Sequence, residues 1–181
     1  MWKKLNDILG DGSELNLDAV LISSPHNLRY FSGFAGGEGY ALIGSEFRCI
    51  FVDSRYTEEA RRESPDFDVI QFGAGGVCAE AEKIIKRFGV GRIGFEDKTV
   101  TYREFKALSE KLSNVELVAL GNRADMKRMI KTDTEIEYIR TAEKIGDDAL
   151  GELVPFIKEG VRECDIAAEL SADRLTDNER V

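Results

Sequence analysis

The chain changes character once, and that change limits what it can fold into. As far as about Gly121, short apolar runs alternate with stretches of helical spacing; from Asn122 onward no strand candidate remains. A sheet must therefore be complete before Asn122, and the remainder must be helical.

In the first part "AVLIS" (Ala19 to Ser23) reads as a buried strand. "YALIG" and "RCIFV", between Tyr40 and Val52, read as a hairpin. "YTEEARRES" is a polar helix ended by Pro65, "FDVIQF" a strand, "GVCAEAEKIIKRF" a helix and "RIGF" a strand. Thr101 and Glu104 form a capping-box pattern ahead of "FKALSEKL", with Leu108 and Leu112 on the face of Phe105, and "VELVAL" closes the set as a strand. A hairpin followed by β/α alternation predicts an α/β fold, a mixed sheet with helices on its faces. Trp2, Leu5, Ile8 and Leu9 add a short N-terminal helix pattern, stopped at Gly10 to Gly12.

In the second part Ile136, Ile139, Ala142, Ile145, Ala149 and Leu153 recur every three or four residues, the mark of a long amphipathic helix. Thr132, Asp133 and Thr134 are its candidate N-caps, with Glu135 and Glu137 at the favourable end of the helix dipole. A second helix from about Arg162 turns Ile166, Ala167 and Leu170 inward. These apolar stripes have no sheet left to cover. Helical propensity alone seldom holds such helices, so another surface must meet them.

Charge narrows the partners. Lys and Arg number 25 against 34 Asp and Glu, a net charge of −9. Phosphate binding wants a basic face, so nucleic acid is excluded as the main partner. An anionic membrane is excluded with it, because no basic run exceeds a pair. No apolar run approaches the length of a membrane span or a signal peptide. Cys49, Cys78 and Cys164 are far apart and in no C-x-x-C pair, so they read as small apolar residues of a reduced, cytoplasmic protein.

The stretch "HNLRYFSGFAGGEG", His26 to Gly39, holds the single histidine and four of the 17 glycines. It does not by itself make a catalytic site. One histidine supplies no metal-binding pair, and the carboxylates fall on helical solvent faces; Asp147 and Asp148 are adjacent and point apart. No G-x-S-x-G is present for acyl transfer. Gly73, Gly75 and Cys78 have G-x-G-x-x-C spacing ahead of "GFED", a weak dinucleotide pattern. Its third small residue is missing, so it reads first as an ordinary β-to-α turn. Asp53 and Arg55 stand at a strand end, where α/β proteins place ligand groups; the competing reading makes Asp53 an N-cap with Arg55 paired locally.

"LDAVLISSPHNLRYFSGFAGGEGYALI" followed by "FVDSRYTEEA" resembles the N-terminal domain of the Xaa-Pro aminopeptidase, prolidase and creatinase family. Asn27, Arg29, Tyr30, Ser32, Gly33 and Phe34 fit its first motif, and Asp53, Arg55 and Tyr56 its second. Arg128, Lys131, Glu135, Ile136, Ile139, Ala142 and Gly160 match the link into the family's catalytic domain and that domain's first two helices. Two departures stand out. Gly160-Val161-Arg162-Glu163 lacks the usual Thr or Ser cap, a loss of about 1 kcal/mol at that helix start. The tail "SADRLTDNERV" is polar where the family is apolar.

The resemblance implies a three-layer α/β/α domain over 1–121, a linker over 122–132, and over 133–181 the first two helices of a pita-bread catalytic domain. The intact enzyme would be a metal-dependent peptidase acting before proline, with two divalent ions of manganese, cobalt or zinc type. Their ligands, two Asp, one His and two Glu, lie downstream of the second helix, so no metal or catalytic residue is expected in this chain. Asn27, Tyr30, Gly33, Phe34, Asp53 and Tyr56 become structural motif residues. His26, Arg29, Gly36, Gly37 and Arg55 become candidate contacts to a partner subunit or to substrate entering its site. The implied partners are the catalytic domain, a second copy in a homodimer, and proline-containing peptides. Two alternatives are a self-associating interaction module derived from such an enzyme and, more remotely, a nucleotide-binding domain.

Overall fold

The computed structural model describes residues 2–9 and 15–177. The expected stop at Gly10 to Gly12 and the last four residues of the tail lie outside them. The chain forms two compact units, Met1–Met129 and Ile130–Val181.

The first unit is built on six strands: β1 (Ala19–Ile22), β2 (Tyr40–Gly44), β3 (Arg48–Val52), β4 (Asp68–Gln71), β5 (Arg92–Phe95) and β6 (Glu116–Ala119), in the order β4-β3-β2-β1-β5-β6. The hairpin partners pair antiparallel, β1 with β2 and β2 with β3. The helix-linked neighbours β3–β4, β1–β5 and β5–β6 pair parallel. This register places the carboxyl ends of all strands except β2 along one edge, with the start of β2 among them.

Side chains alternate across the sheet, and each face has its own core. Val20, Ile22, Ala41, Ile43, Ile50 and Val52 meet Leu28 and Phe31 of α1 (Pro25–Ser32), Ala60 of α2 (Thr57–Glu63) and Ala124 of α5 (Arg123–Met129). Ala19, Leu21, Leu42, Cys49, Phe51 and Ile93 face Ala81 and Ile85 of α3 (Gly76–Phe88) and Leu108 of α4 (Tyr102–Lys111). The result is the expected three-layer α/β/α arrangement. Burial on both faces explains why the central strands read as unbroken apolar runs. The capping box at the head of α4 is also formed, with Thr101 and Glu104 bonding reciprocally.

Two local expectations are corrected. "WKKLNDIL" does not form an amphipathic helix; it makes one 3₁₀ turn, Trp2–Leu5, and Leu9 then bridges Leu17. Leu5, Ile8 and Leu9 are nevertheless buried, so tertiary burial takes the apolar residues without needing the helix. The stretch 122–132, expected as a linker, holds α5, whose Ala124 is buried in the first core.

Helix α1 has no counterpart in the sequence reading and is held from outside itself. Pro25 occupies its first turn, and the N-cap Ser24 makes no side-chain cap bond. Glu96, at the end of β5, does that work. Its Oε2 accepts the Ser23 N–H at 2.5 Å and the Ser24 N–H at 2.7 Å, and its Oε1 accepts Asn27 Nδ2 at 2.6 Å. Asn27 Nδ2 also donates to Asp125 Oδ1 of α5 at 3.0 Å. Glu96 and Asn27 are 5% and 2% exposed, so this is a buried polar knot joining β1, α1, β5 and α5. Ionised carboxylates attract donors strongly, and an amide between two of them avoids the repulsion of a third acid. The helix closes at Gly33 in the left-handed region (φ 89°), where an added Cβ would sit 2.8 Å from the Glu63 carbonyl oxygen.

The second unit consists of α6 (Asp133–Leu153), a 3₁₀ turn (Val154–Phe156) and α7 (Glu163–Asp177). Of the three candidate caps, Thr132 is used, in a capping box with Glu135. Ala149 and Leu153 of the apolar stripe are buried, while Ile136, Ile139 and Ile145 stay exposed, as do Leu150, Val154, Phe156 and Ile157. On α7, Ile166 and Leu170 are half-buried, but Ala167, expected inward, is exposed. Cys164 is exposed as well, unlike the buried Cys49, and does not act as a core residue.

Replacing Glu96 by Ala leaves three buried donors without their acceptor, since water does not reach them. The expected loss is about 3 kcal/mol or more, read as a lower urea midpoint with an unchanged slope.

Candidate functional site

The carboxyl edge of the sheet gathers most of the residues singled out by motif. Phe34 is buried, and Tyr56, just after β3, packs edge-on against it at 6.1 Å between ring centroids. Gly36 lies against this pair: an added Cβ would come within 2.4 Å of Phe34 Cζ and 3.0 Å of Tyr56 Cδ1. Gly37 is different, with open space around it and φ +79°, a conformation that L side chains rarely adopt. The two adjacent glycines thus serve two purposes. One lets the loop approach the aromatic pair, and the other turns it back toward β2.

This turn sets Glu38 beside the end of β3. Asp53 accepts the Arg55 backbone N–H at 2.8 Å and grips its guanidinium, with Nε to Oδ2 at 3.0 Å and Nη2 to Oδ2 at 2.6 Å. Nη2 also donates to Glu38 Oε2 at 2.7 Å. The guanidinium lies 5.1 Å from the centre of the Tyr56 ring. Arg55 Nη1 donates to no group among the described residues, and the side chain is 64% exposed. Beside this cluster opens a shallow cavity of about 320 Å³ lined by Ser23, Gly37, Glu38, Asp53 and Phe72.

Asp53 does not cap α2 with its side chain; the residue at the N-cap position is Tyr56, which makes no side-chain cap bond. The carboxylate closes a local turn onto Arg55 instead. The hydrogen bond from Arg55 holds the Asp53 carboxyl below the usual carboxylate range and raises Arg55 in turn. Exposed pairs of this kind add little to stability, so the consequence is a guanidinium fixed in direction.

The remaining motif residues divide. Asn27 belongs to the buried knot. Tyr30 is half-buried, its hydroxyl bonded to Lys4 Nζ and its ring edge-on to Phe31. His26 and Arg29 lie exposed on α1, and no contact among the described residues joins either to Arg55. Tyr56 and Gly36 enter the site through packing, a role the motif spacing did not reveal. Glu38 is the residue the sequence reading missed: it sits in a loop of glycines, and only the turn at Gly37 brings it to Arg55.

The Gly73–Gly75 turn leads from edge strand β4 into α3, with Gly76 at φ +69°. At the head of α1, where a parallel sheet offers backbone N–H groups to an anion, Glu96 already takes them. Among the described residues no group of three or more His, Cys, Asp or Glu side chains is gathered to hold a metal. Only Glu38 and Asp53 converge, and a guanidinium lies between them, so the residues present do not fit a two-metal centre. No described helix is long and apolar enough to cross a membrane.

A mixed six-stranded sheet covered by helices on both faces, with an Asp–Arg–Glu cluster at its carboxyl edge, defines a non-nucleotide α/β domain. Residues 2–130 match the creatinase/prolidase N-terminal domain profile, and the chain belongs to that family. It is 34% identical over 168 residues to the uncharacterized peptidase YqhT of Bacillus subtilis, covering 93% of this chain and 46% of that protein. The solved Xaa-Pro dipeptidase from Bacillus anthracis superposes with a TM-score of 0.84 at 29% identity, over 97% of this chain and 48% of that one. The N-terminal domain of the cytoplasmic peptidase PepQ from Mycobacterium tuberculosis covers 70% of this chain and 95% of its own length, with a TM-score of 0.61 at 32% identity. The chain thus spans about half the length of the curated relatives it matches and corresponds to their N-terminal part.

The pH dependence of the cluster is set by the depressed Asp53 carboxyl. A depressed folded-state value means the pair's contribution is present above the ordinary carboxylate range and is lost as pH falls through the depressed value. Carbon NMR of Asp53 should titrate below the other exposed aspartates, and in Arg55→Ala its midpoint should rise back among them.

Proposed function

We propose that this chain is the non-catalytic N-terminal part of a metal-dependent Xaa-Pro dipeptidase or aminopeptidase. The observation that carries this is the match to the N-terminal half of such peptidases, which supplies a family for a domain whose own described residues gather no metal site. Two divalent ions of manganese, cobalt or zinc type belong to the other half, where they would activate water for attack on the bond before proline.

The contribution of this part is access and assembly. Arg55, held by Asp53 and Glu38 with Nη1 unused, can take the carboxylate of a short proline peptide in a two-point grip. The Gly36–Gly37 loop shapes the opening beside it. His26 and Arg29, exposed on α1, are available to a neighbouring subunit in a homodimer. The exposed Ile136, Ile139, Leu150 and Ile157 are the surface that the rest of the catalytic domain covers.

The same exposed residues support a second reading, a self-associating module descended from such an enzyme. The two readings part at the gene. A frame running on past the Val181 codon with two Asp, one His and two Glu favours the peptidase; a stop codon there favours the module.

Alone, the 181-residue chain with manganese should leave an Xaa-Pro dipeptide intact, and hydrolysis by the pure chain would refute the non-catalytic assignment. In the longer enzyme, Arg55→Ala should raise KM for that dipeptide about tenfold with kcat little changed, as expected for lost ground-state binding.

A further inference from the structure

On the face of the sheet opposite α1, a second cavity opens between α3 and α4. Its volume is about 250 Å³. Leu21, Leu42 and Ile93, each less than 5% exposed, form its floor. Val77, Cys78 and Val100 at its rim are half-buried, so the pocket reaches solvent. It exists because α4 lies loosely: none of its residues is buried, and it does not close over the strands beside α3.

Three observations point to a ligand rather than a packing fault. The first is position. The connection after β1 leaves toward one face through α1, while that after β5 leaves toward the other through α4. The pocket starts at these two carboxyl ends, at Ser23 and at Thr99 and Val100. Ligands of open α/β sheets bind beside such switch points.

The second is an unused polar group. Tyr40 lines the cavity, and its hydroxyl makes no hydrogen bond among the described residues. Burial, the Glu104 carboxylate and Cys78 all raise its pKa, so it stays protonated and offers an O–H. Ser23 Oγ, by contrast, already donates to Glu96 at 3.3 Å.

The third is charge. Glu104 is the one ionic side chain in the lining, and no Lys, Arg or His joins it. Hydrogen bonds from the Thr101 N–H at 2.7 Å and Oγ1 at 2.8 Å keep its carboxyl below the usual range, hence ionised. An anion would meet repulsion here and find no counter-charge.

Size then sets the class. An apolar cavity of about 150 Å³ holds one benzene ring, so this one has room for two fused rings. We propose that the pocket between α3 and α4 binds an uncharged, flat, two-ring aromatic molecule, or an apolar one of that size, with one hydrogen-bond acceptor facing the Tyr40 hydroxyl. It is separate from the Arg55 cluster and does not depend on the peptidase reading.

Cys78 at the rim supplies a readout within the native chain. Its alkylation by iodoacetamide is followed by peptide mass with quinoline as the probe. Cys164, exposed, is the internal reference; Cys49, buried with its thiol pushed up to about 11, stays slow. Quinoline at ten times its Kd should slow Cys78 about tenfold by simple occupancy and leave Cys164 unchanged. Naphthalene-2-carboxylate, of similar size but anionic, should protect little. Tyr40→Phe should weaken quinoline about fivefold, the value of one neutral hydrogen bond. No protection of Cys78 up to the solubility of quinoline, or equal slowing of Cys164, overturns the site. Equal protection by the carboxylate overturns its charge preference, and an unchanged Kd in Tyr40→Phe overturns the donor assignment.

Discussion

The carboxylate of Glu96 is the constraint on which the first unit most depends. It ends β5, yet the groups it satisfies belong to the junction of β1 with α1 and to Asn27 within that helix. An N-cap usually takes its acceptor from the same helix three residues on, as Thr101 and Thr132 do here. Helix α1 has Asn27 at that place, too short to reach back, and a proline before it. A residue about seventy positions away completes the cap, and through Asn27 the knot extends to Asp125 on α5. Four elements are thereby locked in one relative position, because a buried charge tolerates no looser arrangement of its donors.

That lock has a functional consequence. In many parallel sheets the head of the helix at the switch point is left open for an anion. Here the protein fills it with its own carboxylate, which removes the phosphate site and leaves the two sides of the edge free for other uses. Toward β3 lies the Asp53–Arg55–Glu38 cluster, polar and exposed. Toward α3 and α4 lies an apolar pocket with one acid and one free phenol. One edge carries two sites of opposite character because adjacent strands send their connections to opposite faces.

Much of the architecture was legible in the chain. Apolar runs bounded by turn residues marked all six strands, and the two capping boxes stood in sequence as Thr-x-x-Glu. Two features were not legible, for different reasons. The WKKLNDIL stretch carried helical spacing but became a 3₁₀ turn, since burial of Leu5, Ile8 and Leu9 required only that they face the core. The segment from Pro25 to Ser32 carried little helical periodicity of its own, and its helix rests on an acceptor that local sequence cannot supply. Of the candidate site, Asp53 and Arg55 were visible as a strand-end pair. Glu38 was not, because its approach depends on the backbone reversal at Gly37.

By itself, then, the sequence determined the number and order of strands along the chain, the division near Asn122 and the exposure of apolar helix faces beyond it. These features come from periodicity and composition, which act over a few residues. Only the tertiary structure decided what caps α1, which acid joins Arg55, and that a gap remains between α3 and α4. Each of these is a meeting of groups distant in the chain, set by strand order and by how closely helices settle on the sheet. No local pattern encodes such distances.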